Sequence, residues 1–165
     1  MRAGVRKLAL TVHIACSVGW LGAVAAALAL AVAGLTSDDP GRVRAVYLTL
    51  ELSGWYVLIP LAVASLLSGL VQALGTPWGL VRHYWVMIKL LMNLLATGVL
   101  LLYMQTLTHL ADLARADAPV ADLRSPSPVL HAAGALVLLL VAVVLSVYKP
   151  RGRTRFGRRR DAAGA

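Results

Sequence analysis

Two ionisable side chains lie inside long apolar stretches and are the first candidates for chemistry. His13 lies near the start of the first stretch and Lys89 near the start of the third. At a helical rise of about 1.5 Å per residue, both would lie roughly 7 to 8 Å below the same membrane surface. Ionisable groups are costly at this depth, so a histidine there is a candidate ligand of a metal or cofactor. The shared depth predicts one site for both residues.

Further polar side chains continue from these two residues at helical spacing. The three stripes are His13, Ser17 and Trp20; Lys89, Asn93 and Thr97; and Ser65, Ser68 and Gln72. Because lipid cannot satisfy polar groups, these helix faces should point into the interior of a bundle. Two alternatives stay open: His13 could simply hydrogen-bond to Ser65 or Ser68, and Lys89 could extend to the headgroups.

A second group of polar residues falls at the opposite ends of the same stretches. Its members are His109, Asp112, His131 and Glu51. Two histidines and two carboxylates could bind zinc or copper, so His109, His131 and Glu51 are candidate metal ligands. The spacing is not specific to a metal, and plain interfacial polarity explains the same residues.

The elements that must position these residues are four apolar segments, at about 8–35, 43–74, 84–107 and 129–148. Of the 165 residues, 59% are hydrophobic and 14% are charged. Each segment is long enough to cross about 30 Å of hydrocarbon, and no alternating strand pattern is present. The chain therefore predicts an all-α, polytopic membrane protein with a bundle of four transmembrane helices. A disulfide framework is excluded, because Cys16 is the single cysteine.

The distribution of lysine and arginine predicts the orientation of these helices. Cations cluster before the first segment, at Arg82 and in the tail at 151–165, whereas most acidic residues fall in the other two connections. Cationic loops remain in the cytoplasm, so both the N- and C-termini should be cytoplasmic, in the cell inner membrane. Residues 1–150 form the transmembrane domain. The basic tail should lie against anionic headgroups, and no nucleic acid is expected as a partner.

Three short motifs resemble one family of membrane proteins. They are His13-x6-Trp20-Leu-Gly22, Trp85-x3-Lys89 and Val147-Tyr-Lys-Pro150. They resemble the HemJ family of protoporphyrinogen oxidases and the related CopD-like proteins, and the chain is more similar still to a group of small uncharacterised actinobacterial-type membrane proteins. The HemJ resemblance implies a haem b held through His13, with Lys89 as the second functional, catalytic residue.

The sequence therefore predicts that haem b or a porphyrin binds between the first and third segments, with a HemJ-like redox role. The residues expected at this site are His13 as ligand of the haem iron, Lys89, Ser17, Trp20, Asn93 and Arg82. Arg82 would pair with a propionate from the cytoplasmic surface. A CopD-like role in copper handling and a non-catalytic assembly subunit are the alternatives, and enzyme activity is left open. The expected partners are the lipid bilayer, the porphyrin and a second copy of the chain.

Overall fold

The computed structural model describes residues 3–75, 80 and 83–148, and its regular elements are all helical. These are α1 (Ala3–Thr36), α2 (Pro40–Ser53), a π-helical turn (Gly54–Leu58), α3 (Ile59–Gly75), α4 (Tyr84–Arg115), α5 (Val120–Leu123) and α6 (Ser127–Tyr148). Four stretches are long and apolar enough to span a membrane: Ala3–Thr36, Pro40–Gly75, Tyr84–Arg115 and Val120–Tyr148. The predicted all-α bundle of four helices is confirmed. The sidedness of the termini stays a prediction, and the tail at 151–165 lies outside the described residues.

The third span extends beyond its predicted end at 107 and continues to Arg115. Polar residues after Leu107 lower the local hydropathy and so hide the end of the helix from a sequence window. On the other face of these two turns, Leu110, Ala111 and Ala114 are buried. Packing of this narrow apolar face therefore extends the helix.

The second span contains a π-helical turn just before Pro60. Within the turn, the Ile59 N–H donates to the Gly54 carbonyl, five residues back. Proline has no N–H, and its ring collides with the carbonyl four residues before it in a regular helix. The π turn lies directly before this proline, and such turns are a recognised form of irregularity within a long helix.

The four spans surround a core that fills only one half of the bundle. α1 packs against α2, α3 and α6, whereas α4 packs against α2, α3 and α6, so α1 and α4 lie diagonally opposite. We call residues 3–19, 66–75, 84–95 and 140–148 the open half, because none of these residues is fully buried. The remainder of the spans forms the core half, where the largest buried side chains are Trp20, Tyr47 and Met104. Large side chains thus join the spans at one end, and small or polar contacts join them at the other.

Arginine side chains join the loops at the end of the core half through ion pairs and hydrogen bonds. Arg124 bonds to the Asp38 carboxylate at 2.5 Å and to the Ser37 carbonyl at 2.9 Å. Arg44 pairs with Asp117 at 3.3 Å. Each contact links the connection after α1 or the start of α2 to the segment that follows α4. The loops therefore close this end around the apolar core.

Candidate functional site

His13 is held on α1 by a hydroxyl from α3. Its Nδ1 lies 3.0 Å from the Ser68 Oγ, and that oxygen lies 2.6 Å from the Ala64 carbonyl. A carbonyl can only accept, so the Ser68 hydroxyl donates its single proton to the backbone. The hydroxyl oxygen must then accept from an Nδ1–H of His13. This tautomer leaves the lone pair of the neutral ring on Nε2, where it can bind a metal.

A glycine allows the His13 ring to lie close to α3. A Cβ added at Gly69 would lie 3.0 Å from the His13 Cε1 and 3.5 Å from Nδ1. Any larger residue at this position would push the imidazole away from the Ser68 hydroxyl. The close approach and the hydrogen bond together fix the orientation of the ring.

Three predicted polar residues meet one helical turn further into the bundle. The Ser17 Oγ lies 2.8 Å from the Ser65 Oγ, and the Asn93 Nδ2 donates to the same oxygen at 3.4 Å. Thr97 in turn donates to the Asn93 carbonyl at 2.8 Å. The polar stripes of α1, α3 and α4 therefore do face one another, with Ser65 only 2% exposed.

Lys89 bonds to a residue that the sequence argument did not single out. Its Nζ donates to the Ser146 Oγ on α6 at 2.5 Å and lies 5.8 Å from the centre of the Trp85 ring. Ser146 is the single serine or threonine between residues 129 and 148. A lone serine in an apolar segment was the sequence signal that could have identified Ser146 as a hydrogen-bond partner.

The hydrogen bonds of the open half join the spans in two pairs. On one side, His13 bonds to Ser68, and Gln72 donates to the Ala9 carbonyl at 3.1 Å, both between α1 and α3. On the other side, the Lys89 bond joins α4 to α6. Among the described residues, the Asn93 bond to Ser65 is the polar link between the two pairs. His13 and Lys89 thus belong to different pairs, with α1 diagonal to α4.

Trp20 lies in the apolar core rather than beside His13. The indole is 2% exposed, about 10 Å further along α1 at the helical rise. Its Nε1–H is buried and has no acceptor among the residues that the structure describes. Trp20 instead lines a cavity of about 360 Å³ in the core half.

The structure does not bring His109, His131 and Glu51 together as metal ligands. Arg115 binds the Glu51 carboxylate and also bonds to Asp112 at 2.7 Å. His131 donates from Nδ1 to the Ser127 carbonyl at 2.9 Å, whereas His109 borders a separate groove beside Asp112. Within the described part of the chain, no three His, Cys, Asp or Glu side chains are placed to hold a metal ion. The arginine occupies the carboxylates that a cation would need.

One predicted site residue, Arg82, lies outside the described residues. Its neighbours in the predicted cytoplasmic cluster, Arg6 and Lys7, are exposed at the start of α1. Comparison with family models, with curated proteins and with solved structures finds no match to this chain. The resemblance to the HemJ and CopD-like proteins therefore stays a prediction from three short motifs.

Proposed function

We propose that this chain is a multi-pass protein of the cell inner membrane that binds haem b or a porphyrin in the open half of the bundle. The observation that carries the proposal is the hydrogen-bonded His13, whose Nε2 lone pair is left for a ligand bond. A metal-ligating histidine commonly donates its other ring N–H to an oxygen, which orients the ring. Ser68 supplies that oxygen here.

The surroundings of His13 fit a flat apolar group. No residue of the open half is fully buried, so its apolar side chains are partly or wholly exposed on the bundle. The α1–α3 pair and the α4–α6 pair provide two facing surfaces, a common way for helical bundles to hold a macrocycle. The helices would then contribute apolar contacts, and His13 would contribute the axial nitrogen.

Lys89 would act from the opposite pair of helices. Its amine already bonds to Ser146 and lies beside the Trp85 ring. In the proposed complex, Lys89 either supplies a second nitrogen ligand or stays a cation that favours a neutral imidazole at His13. A bound haem would supply one-electron chemistry, in keeping with a HemJ-like redox role.

The test is the absorption spectrum of the purified protein in detergent, after haem is supplied. We expect a Soret band that His13→Ala removes and that His109→Ala leaves unchanged. His109 is an exposed histidine near the other end of the bundle, so it controls for adventitious binding by any imidazole. A colourless wild-type protein, or equal spectra for the two variants, would refute the proposal.

A non-catalytic assembly subunit is the second candidate, because the same polar groups also join helices. His13 links α1 to α3, and Lys89 links α4 to α6. Under this proposal, His13→Ala lowers the unfolding temperature and changes no spectrum. Loss of a bound chromophore at an unchanged unfolding temperature would exclude it.

A further inference from the structure

The cavity lined by Trp20 lies mainly in the core half, and neither His13 nor Lys89 lines it. Its volume is about 360 Å³, and its wall combines residues of α1, the second span, α4 and α6. Every lining residue from α1 and the second span is buried, whereas the exposed lining residues all come from α4 and α6. Those exposed residues are Leu95, Val99, Leu130, His131 and Gly134. The cavity therefore has a closed floor and a mouth between α4 and α6 that faces the surrounding lipid.

His131 supplies a polar atom at this mouth. Its Nδ1 donates to the Ser127 carbonyl at 2.9 Å, which leaves the lone pair of the neutral ring on Nε2. Among the described residues, Nε2 has no hydrogen-bond partner. The ring stacks on Tyr103, with centroids 3.8 Å apart and planes inclined by 15°. The stacked pair presents a flat aromatic wall with one acceptor at its rim.

The other lining side chains are apolar, apart from Trp20 and Tyr103. The Trp20 Nε1–H and the Tyr103 hydroxyl are buried without a hydrogen-bond partner in the described part of the chain. Ser127 lies beside the Tyr103 hydroxyl without reaching hydrogen-bond geometry. Buried donors of tryptophan and tyrosine usually find a partner. Both residues line the cavity, so each brings an unpaired buried donor to its wall.

We propose that this cavity binds a lipid-soluble aromatic alcohol, of the phenol or hydroquinone class, that enters from the bilayer between α4 and α6. The ring occupies the apolar cavity beside Tyr103, and the hydroxyl donates to the Nε2 of His131. Small-molecule pockets span about 300 to 1,000 Å³, so 360 Å³ suits one or two fused rings. A longer apolar tail would leave through the mouth. The proposal uses neither His13 nor Lys89, so it stands apart from haem binding.

The hydroxyl contact is tested with two probes that share one ring system. Binding of 1-naphthol and of 1-methoxynaphthalene is measured by calorimetry on the protein in lipid nanodiscs, with empty nanodiscs as the reference. We expect saturable binding, with 1-naphthol favoured by about two- to tenfold, the value of one net hydrogen bond. His131→Phe keeps an aromatic ring against Tyr103 but removes the acceptor, so this preference should vanish. Equal affinities for the two probes in the wild-type protein would overturn the proposal.

The location is tested with two matched glycine variants. A Cβ added at Gly134 or at Gly98 meets no atom within 4 Å, so a side chain can begin at either position without a clash. Gly134 lines the cavity, whereas Gly98 on the neighbouring helix does not. Gly134→Leu should therefore weaken 1-naphthol binding at least tenfold, and Gly98→Leu should leave it unchanged. Undiminished binding to Gly134→Leu, or an equal loss in both variants, would show that the probe binds elsewhere.

Discussion

Gly54 lies where the second span turns through its π segment, directly against α4. A Cβ added to this residue would lie 2.5 Å from the Met104 Sδ and 2.7 Å from its Cε. Carbon and sulfur atoms pack at separations of about 3.5 to 4.0 Å. Gly54→Ala therefore requires the Met104 thioether to retreat by about 1 Å. Met104 is 1% exposed, so its flexible end must either displace packed neighbours or move toward the groove that it borders with Trp55.

The expected cost of Gly54→Ala combines two opposing effects. Overpacking a filled core typically costs about 1 to 3 kcal/mol. Replacing glycine with alanine also restricts the unfolded chain, which raises the free energy of unfolding by about 0.4 to 1 kcal/mol. The central values, about 2 and about 0.7 kcal/mol, leave an expected net loss of about 1 kcal/mol in the free energy of unfolding.

The assay is reversible unfolding in mixed micelles, with SDS as the denaturant and helicity as the signal. Gly98→Ala is the control, because its new methyl group meets no neighbour within 4 Å. Combining Gly54→Ala with Met104→Ala removes the clash, so the two changes should couple by about 1 to 3 kcal/mol. Equal stabilities of Gly54→Ala and Gly98→Ala, or strict additivity with Met104→Ala, would refute the packing inferred at the π turn.

Two further predictions concern the end of the core half. Arg115→Ala should lower the unfolding midpoint more than Arg124→Ala, because the Glu51 side chain left behind is 13% exposed and would lose its bound cation. Asp117 has a left-handed backbone at φ 53°, so Asp117→Ala should be less stable than Asp117→Gly by about 1 to 2 kcal/mol. Both comparisons use the same SDS unfolding assay.

Each of these comparisons carries its own control. Arg124 contacts the Asp38 side chain, which is 96% exposed, and the Ser37 carbonyl, so its removal leaves no buried charge and water can solvate the carboxylate. An equal or larger effect of Arg124→Ala would contradict the reasoning from burial. Both variants of Asp117 lose its ion pair with Arg44, so their difference isolates the backbone. No difference between alanine and glycine would show that the left-handed conformation is not retained.

The sequence predicted the fold well because the signals for transmembrane helices are local. A run of apolar residues identifies a span without reference to any other part of the chain. The same logic brought out His13, Lys89 and the serine stripes, because polar groups are costly inside hydrocarbon. It failed at Arg115, where the helix continues because Leu110, Ala111 and Ala114 are buried in the bundle. Such a face becomes visible only when its partner is known.

The metal hypothesis for His109, His131 and Glu51 illustrates the same limit of sequence analysis, because residue types do not show which side chains meet. Residue types suggested ligands, yet an arginine three residues after Asp112 occupies the Glu51 carboxylate. Sequence spacing places Arg115 beside Asp112 on one helix, but it does not show that Glu51 of α2 faces the same turn. The partner of a carboxylate is decided by which helices are neighbours.

Four helices long and apolar enough to cross a membrane, and their approximate limits, were determined by the sequence alone, because both depend on properties read along a single helix. The tertiary structure decided the rest. In the tertiary structure, α1 lies diagonally opposite α4, and Lys89 donates a hydrogen bond to Ser146. His13 is hydrogen-bonded to Ser68, and a cavity lies beside His131. These features depend on which faces of different helices meet, and a pattern of spacing within one helix carries no information about the helix on the other side.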